Sequence, residues 1–382
     1  MKTKLSPLAS PRSQRKRARH SRPLLAGLTL AALAGAASAQ SGVTLYGVVD
    51  ASVAHGSGSV ASKTQLLSGS LLGSRIGFRG VEDLGGGMAA AFVLESGLNA
   101  DSGTGTASNT NNQASGAAPA AAGGQGLTFN RISYVSLVGG WGEVRLGRDY
   151  TPTFLAQALH DPAQVGSGLW IPQSALGSRT VLANPAGVRA SNSVSYLLPR
   201  SASFSGQLMY AMGENASNAG ATRNDGSLVG LRLGYASGAL DLGLATETIK
   251  LASVGDIKET VLGVNYNFGM AKLWAQVLRD TTKLAGKTNG HSLAVTVPMG
   301  ATELRAAWSR SKQTNAAGAA TGTTDKLAFA AIHSLSKRTS VYTTLARSSN
   351  KNGAAGVPFP GVAVTTANGR ANVYEFGVRH VF

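Results

Sequence analysis

Cysteine is absent from the 382 residues. That excludes disulfide frameworks, thiolate metal sites, iron–sulfur clusters and cysteine nucleophiles. Charge is scarce: Asp, Glu, Lys and Arg make up 14% of the chain, which fits neither a highly charged disordered polymer nor a typical cytosolic enzyme. Long apolar runs are scarce too. Beyond Gln40 no stretch of 18 consecutive apolar residues occurs, so transmembrane helices are excluded on hydropathy. What is abundant is glycine, 49 residues, among many Ser, Thr, Ala and Asn, and that load disfavours a mostly helical protein. The length fits two ordinary domains or one large closed β-structure.

The first 39 residues read as a secretory signal peptide. Lys2, Lys4, Arg12, Arg15, Lys16, Arg17, Arg19 and Arg22, with no acid among them, precede an apolar run from Leu24 to Ala37 that ends in Ala37-Ser38-Ala39. At about 14 residues the run falls short of the roughly 20 a spanning helix needs, so cleavage after Ala39 is preferred to an uncleaved anchor. The mature chain, 40–382, would start at Gln40. Removing the leader takes away eight basic residues and leaves 27 basic against 18 acidic, so the net charge of +17 falls to +9. The remaining cations are scattered singly, and the leader directs the chain out of the cytoplasm. Nucleic acid is therefore not an expected partner.

The mature chain alternates with period two in segments of about ten residues, the weak signature of a membrane β-barrel strand. In 43–54, Val43, Leu45, Gly47, Val49, Ala51 and Val53 oppose Thr44, Tyr46, Asp50 and Ser52. In 302–310, Leu304, Ala306 and Trp308 oppose Glu303, Arg305 and Ser309. A half-buried soluble sheet would alternate equally, so number and spacing decide. Sixteen segments recur, at 43–54, 72–82, 88–98, 129–138, 143–150, 191–198, 203–212, 228–236, 239–250, 258–268, 271–281, 290–298, 302–312, 325–335, 340–348 and 371–382. Tight turns such as 83–87, 139–142, 237–238 and 269–270 alternate with long links at 99–128, 151–190, 213–227, 313–324 and 349–370. Short turns on one rim and long loops on the other are the habit of an outer-membrane barrel, which an even strand number also suits. The Ala/Gly run 114–124 is expected to be a surface loop.

Several motifs then carry a family resemblance: Val43-Thr44-Leu45-Tyr46-Gly47, Ser74-Arg75-Ile76-Gly77-Phe78-Arg79-Gly80, Leu94-Glu95-Ser96-Gly97, Phe129-Asn130-Arg131, Leu146-Gly147-Arg148-Asp149-Tyr150, Asn192-Ser193-Val194-Ser195-Tyr196 and the ending Tyr374 to Phe382. Spread over the whole mature chain, they resemble the general trimeric porins of Gram-negative outer membranes, in the variants typical of β-proteobacteria. The resemblance implies an all-β fold, a 16-stranded antiparallel transmembrane β-barrel with an inward-folded third loop, assembled as a homotrimer. Its surroundings would be outer-membrane lipid and lipopolysaccharide, and its cargo small ions and solutes.

The family opposes arginines on the barrel wall to acids on the third loop. The matching wall positions are Arg75, Arg131 and Arg189; Ile76 and Phe78 on the other face of the Arg75 strand suit lipid, and so does Ile132 beside Arg131. An arginine at the lipid-facing midplane costs about 2–4 kcal/mol, which favours the lumen for these side chains. The acidic tip of the family's third loop is missing, and 151–190 holds one acid, Asp161, expected to serve in the eyelet or to cap a helix or turn before Pro162. The final strand sets Tyr374, Phe376, Val378, His380 and Phe382 on one face, resembling the signal read by barrel-insertion machinery.

No catalytic motif emerges. Ala285-Gly286-Lys287-Thr288 resembles the end of a P-loop, but Thr281 stands where the first glycine belongs, and a loop is expected there. Metal-ligand spacing is absent among the five His of the mature chain, and no cofactor is implied. Tyr210, Tyr235, Tyr266, Phe268 and Tyr374 fall near strand ends, as an interfacial girdle would. The expectation is a passive, anion-preferring diffusion channel in the outer membrane, exported by its leader, with no enzymatic activity. A barrel enzyme of lipase or protease type, a solute-specific channel and a secreted adhesin or β-solenoid are the alternatives, the last lacking its constant repeat period.

Overall fold

A computed structural model describes residues 42–113, 126–162, 185–199, 203–359 and 361–382. The expected leader, the Ala/Gly run 114–124 and most of the third loop lie outside the described residues. In chain order the elements are β1 (Val43–Gly58), β2 (Ala61–Ser68), β3 (Arg75–Gly85), β4 (Met88–Asn99), β5 (Thr104–Gly105), β6 (Ile132–Gly139), β7 (Gly142–Tyr150), α1 (Pro152–Leu159), β8 (Arg189–Leu197) and β9 (Phe204–Ala211). They continue as β10 (Leu228–Ser237), β11 (Leu240–Ile249), β12 (Ile257–Asn267), β13 (Lys272–Thr282), β14 (Gly286–Met299), β15 (Thr302–Thr314), β16 (Ala320–Ser334), β17 (Thr339–Lys351), β18 (Ala363–Val364) and β19 (Arg370–Val381).

Which face of the alternation is covered separates a membrane barrel from a soluble sheet. On β1, Leu45, Val49 and Val53 are exposed while Val48, Asp50 and Ser52 are buried. The same inversion runs round the wall. Leu208, Leu244, Leu262, Val277, Leu293 and Phe376 face outward, whereas Gln207, Glu247, Glu259, Gln276 and Glu375 are buried on the inner side. An apolar outside and a polar inside suit lipid around a wet lumen and would be untenable for a sandwich in water. Alternation alone could not tell the two apart.

Sixteen strands close the wall, every neighbouring pair antiparallel, and the expected sixteen segments match them in order. Closure runs through β1, whose inner partner is β3 (Val43↔Gly80 to Val48↔Arg75) and whose other edge pairs with β19 (Val48↔Val381 to Gly58↔Ala371). The terminal residue completes the seam: Gly47 N donates to Phe382 O and Phe382 N to Gly47 O, at 3.0 and 3.1 Å. Gly47 permits this, because a Cβ there would strike the Phe382 ring. Tyr374, Phe376, Val378, His380 and Phe382 all point outward.

The short strands were not anticipated. β2 pairs with the outer part of β1 (Ala51↔Ser68 to Ser57↔Ser62), so β2 and β3 share one position in the wall, interrupted at 69–74. Asp50 holds that interruption inward, its carboxylate accepting from Leu71 N at 3.0 Å, Leu72 N at 2.6 Å and Tyr342 Oη at 2.6 Å. Two links differ from expectation. The long connection placed at 313–324 shrinks to five residues, because the polar ends of β15 and β16 go on pairing past the apolar belt. Gly286 to Thr288 belongs to β14 and not to a loop, paired with the end of β13 (Asp280↔Thr288 to Thr282↔Gly286). At the short-turn rim Phe204 packs on Tyr235 and Tyr266 on Phe268, with ring centroids 5.1 and 4.6 Å apart.

Candidate functional site

The third long connection leaves β7 and enters the lumen as α1, which Thr151 caps by accepting from Phe154 N at 3.4 Å. Pro152 at the first helical position costs no hydrogen bond there. The wall receives the helix with side chains of the inner face. Glu247 on β11 accepts from Thr153 N at 3.2 Å, Gln157 donates to Glu259 on β12 at 2.8 Å, and Asn265 and Gln276 donate to the carbonyls of Leu159 and His160 at 3.1 Å each. Ala156 packs on Ala245, Val261 and Leu278. A close approach needs bare backbone below His160: a Cβ on Gly243 or Gly263 would overlap its ring. This helix, buried on one wall, went unnoticed in the sequence because its Ala, Gln and Thr carry no strong amphipathic pattern.

Across the lumen from this docking wall, arginines from separate elements meet one carboxylate. Glu95 on β4 lies 3.4 Å from Arg75 on β3 and 2.6 Å from Arg131, with the three side chains 7–13% exposed. Tyr46 on β1 donates its hydroxyl to Glu95 at 3.2 Å, reaching over Gly77, which stands between them in register and has no side chain to block the ring. Tyr150 Oη, at the end of β7, accepts from Arg131 at 2.9 Å and from Arg189 at 3.3 Å, and the Arg189 guanidinium lies 4.8 Å from the Tyr150 ring centroid. Arg148 adjoins Arg189 and is tied to Asn130 O at 2.6 Å and Ser191 Oγ at 2.7 Å. Arg75 and Arg131 thus share the Glu95 carboxylate, Arg131 and Arg189 share the Tyr150 hydroxyl, and Arg148 lies beside Arg189, an arrangement that holds its donors in fixed directions and leaves a net positive field.

Arg75, Arg131 and Arg189 are brought together around Glu95 and Tyr150. The alternation argument for Arg131 does not hold. Arg131 sits in a bend one residue before β6, and Ile132 pairs with Glu95 in register and shares a face with Tyr134, so Ile132 is not a lipid-facing partner. Arg131 is directed by Glu95 instead. Asp161 is not brought to the arginines. It is 3% exposed, packed with His160, Trp274 and Ser309 against the opposite wall and in electrostatic contact with Lys326 on β16. Glu95, Tyr150 and Arg148 are present in the quoted motifs but carry no sign that they converge, since 18 to 49 residues separate the bonded partners.

The chain matches the Gram-negative porin family model over residues 26–353. It is 33% identical to outer membrane porin protein 32 of Delftia acidovorans over 94% of this chain and 99% of that protein. It is 30% identical to an outer membrane porin protein of Bordetella pertussis over 72% of this chain and 74% of the relative. The solved anion-selective porin from Comamonas acidovorans superposes with a TM-score of 0.75 and 31% identity, covering 90% of this chain and all of that one. With the closed sixteen-stranded wall, the lipid-compatible exterior and the loop helix in the lumen, these matches make the chain a member of the Gram-negative porin family, a passive outer-membrane diffusion channel and not an enzyme.

Proposed function

We propose that the channel prefers anions and that Arg75, Arg131 and Arg189, joined by Arg148 and restrained by Glu95, form its constriction. The observation that carries this is the excess of guanidinium over carboxylate at one level of the wall, opposite the docked third loop. Small anions would be drawn through a water-filled pore by a field that is strongest where the cross-section is least. The relative from Comamonas, described as anion-selective, supports the same sign. Asp161 takes the part of an anchor for the end of α1 and not of an eyelet acid. The remaining assignments are a leader, 1–39, read from its basic and apolar segments and removed to leave Gln40 first, and, from the resemblance, a homotrimer in lipid and lipopolysaccharide and an outward C-terminal face read by the insertion machinery.

The test is the reversal potential of purified protein in a potassium chloride gradient. Unmodified channel should favour chloride, and Arg75→Ser with Arg131→Ser should lower the anion-to-cation ratio. Arg223→Ser, on the exposed loop between β9 and β10, should leave it nearly unchanged. Cation preference in the unmodified protein would reject the charge balance while leaving the barrel intact.

A further inference from the structure

The stretch between β2 and β3 is too long for its place in the wall. Ala51 pairs with Ser68 and Val48 with Arg75, so residues 69–74 stand opposite Val49 and Asp50 and must leave the sheet. Irregular backbone at membrane depth is tolerated only where it is buried in protein or lines water, which directs the excess into the lumen. Asp50, an inward residue of β1, receives it. Its carbonyl accepts from Gly69 N at 2.8 Å and from Ser74 Oγ at 3.0 Å, its amide donates to Ser74 Oγ at 3.0 Å, and its carboxylate takes the amides of Leu71 and Leu72. One residue thus grips the segment at its start, middle and end.

From Asp50 the segment lies along the inner wall. Ser70 Oγ is 3.1 Å from Ser52 Oγ, and Leu71 packs on Tyr342 of β17 and Ile332 of β16, both inward residues. Tyr342 reaches the Asp50 carboxylate over Gly377 of β19, where a Cβ would strike its ring. In the wall β1 is followed by β19, β17 and β16, three interstrand steps of about 4.8 Å, so the segment reaches across roughly 14 Å of the lumen face. Ser70, Leu71, Gly73 and Ser74 are buried there, and Leu72 is partly exposed. Gly73 O accepts from Arg75 Nη1 at 3.4 Å, which puts the segment at the level of the arginine cluster. The described part of the third loop meets the inner face from β9 to β16, and this segment meets it from β16 round to β1. We propose that residues 69–74 form a second, fixed wall of the constriction, with Asp50 as its positioning residue and Leu72 as the side chain that limits the cross-section on that side. This takes its level from the arginine constriction read above, but it concerns size and not charge, since Gly-Ser-Leu-Leu-Gly-Ser carries no ionisable group.

The test uses full-length purified protein in planar bilayers at about 1 M salt, where a Debye length near 3 Å leaves conductance to report cross-section. The chain has no cysteine, so Leu72→Cys offers an uncharged, water-soluble thiosulfonate one target. Modification, followed by mass spectrometry, should lower single-channel conductance in discrete steps. Val49→Cys, whose position faces lipid on the same stretch of β1, should show no such loss. Asp50→Ala should raise the size cut-off for neutral polyethylene glycols, whereas Asp50→Asn should keep that of the unmodified channel. The amide oxygen can still accept from Leu71 and Leu72, and the amide nitrogen can donate to the Tyr342 hydroxyl. Failure of Leu72→Cys to react, or reaction without loss of current, would overturn the second wall even if Asp50→Ala failed to fold. Asp50→Asn with the raised cut-off of Asp50→Ala would overturn the positioning role of Asp50. Cation preference of the unmodified protein in a potassium chloride gradient would instead defeat the charge reading of the constriction, and the conductance steps at Leu72→Cys would still decide this one.

Discussion

Replacing Glu95 with Gln removes the carboxylate that Arg75 and Arg131 share while keeping its shape. The amide oxygen can still accept from Arg131 and from the Tyr46 hydroxyl, which now reach the carboxylate at 2.6 and 3.2 Å. An ion passing about 6 Å away gains or loses the interaction with one unit charge, about 0.7 kcal/mol in water and about 2.8 kcal/mol at an effective dielectric constant near 20. The lumen is wetted, so the lower end applies, and at about 0.1 M salt a Debye length near 10 Å removes roughly half of it. What remains is about a twofold to threefold change in opposite directions for anion and cation. The anion-to-cation permeability ratio should therefore rise by roughly threefold to tenfold, measured as reversal potential in a potassium chloride gradient. At about 1 M salt, where the Debye length is near 3 Å, the gain should vanish. An unchanged or lowered ratio at low salt, from a variant that remains a folded barrel of normal conductance, would refute the idea that this cluster sets selectivity.

Asp161→Asn provides the contrast: it removes a charge that follows α1 and is buried against the wall beside Lys326, so it should shift the reversal potential less than Glu95→Gln and loosen the loop instead, seen as noisier open-channel current. Gly243→Val should drive His160 off the wall, an overpacking of about 1–3 kcal/mol, and lower thermal stability in detergent together with an altered single-channel conductance. Deleting Phe382 should cut the yield of assembled protein in the outer membrane while leaving export intact, because the residue both closes the seam to Gly47 and ends the outward aromatic face; normal yield would dismiss the insertion signal. N-terminal sequencing of the outer-membrane form should read Gln40 first.

Period two and the alternation of short and long links were enough to give the strand count and order, because a strand facing lipid on one side and water on the other writes its environment into every second residue. The face that lipid covers, the break between β2 and β3 and the length of the polar strand ends were not written there. They depend on pairing beyond the membrane and on Asp50 catching the backbone of Leu71 and Leu72. Arg75 and Arg131 were legible because each stands in a motif, and Arg189 because it precedes one. Their shared partner Glu95 was not, since which carboxylate meets which guanidinium is set by strand register and by the open space above Gly77. Asp161 shows the same limit from the other side. Composition singled it out as the lone acid of its loop, but the direction in which α1 docks, fixed by Glu247, Glu259 and two glycines on distant strands, turned it to the wall and away from the arginines. Sequence determined the strands and their order; tertiary structure alone decided which face meets lipid and which charges face one another.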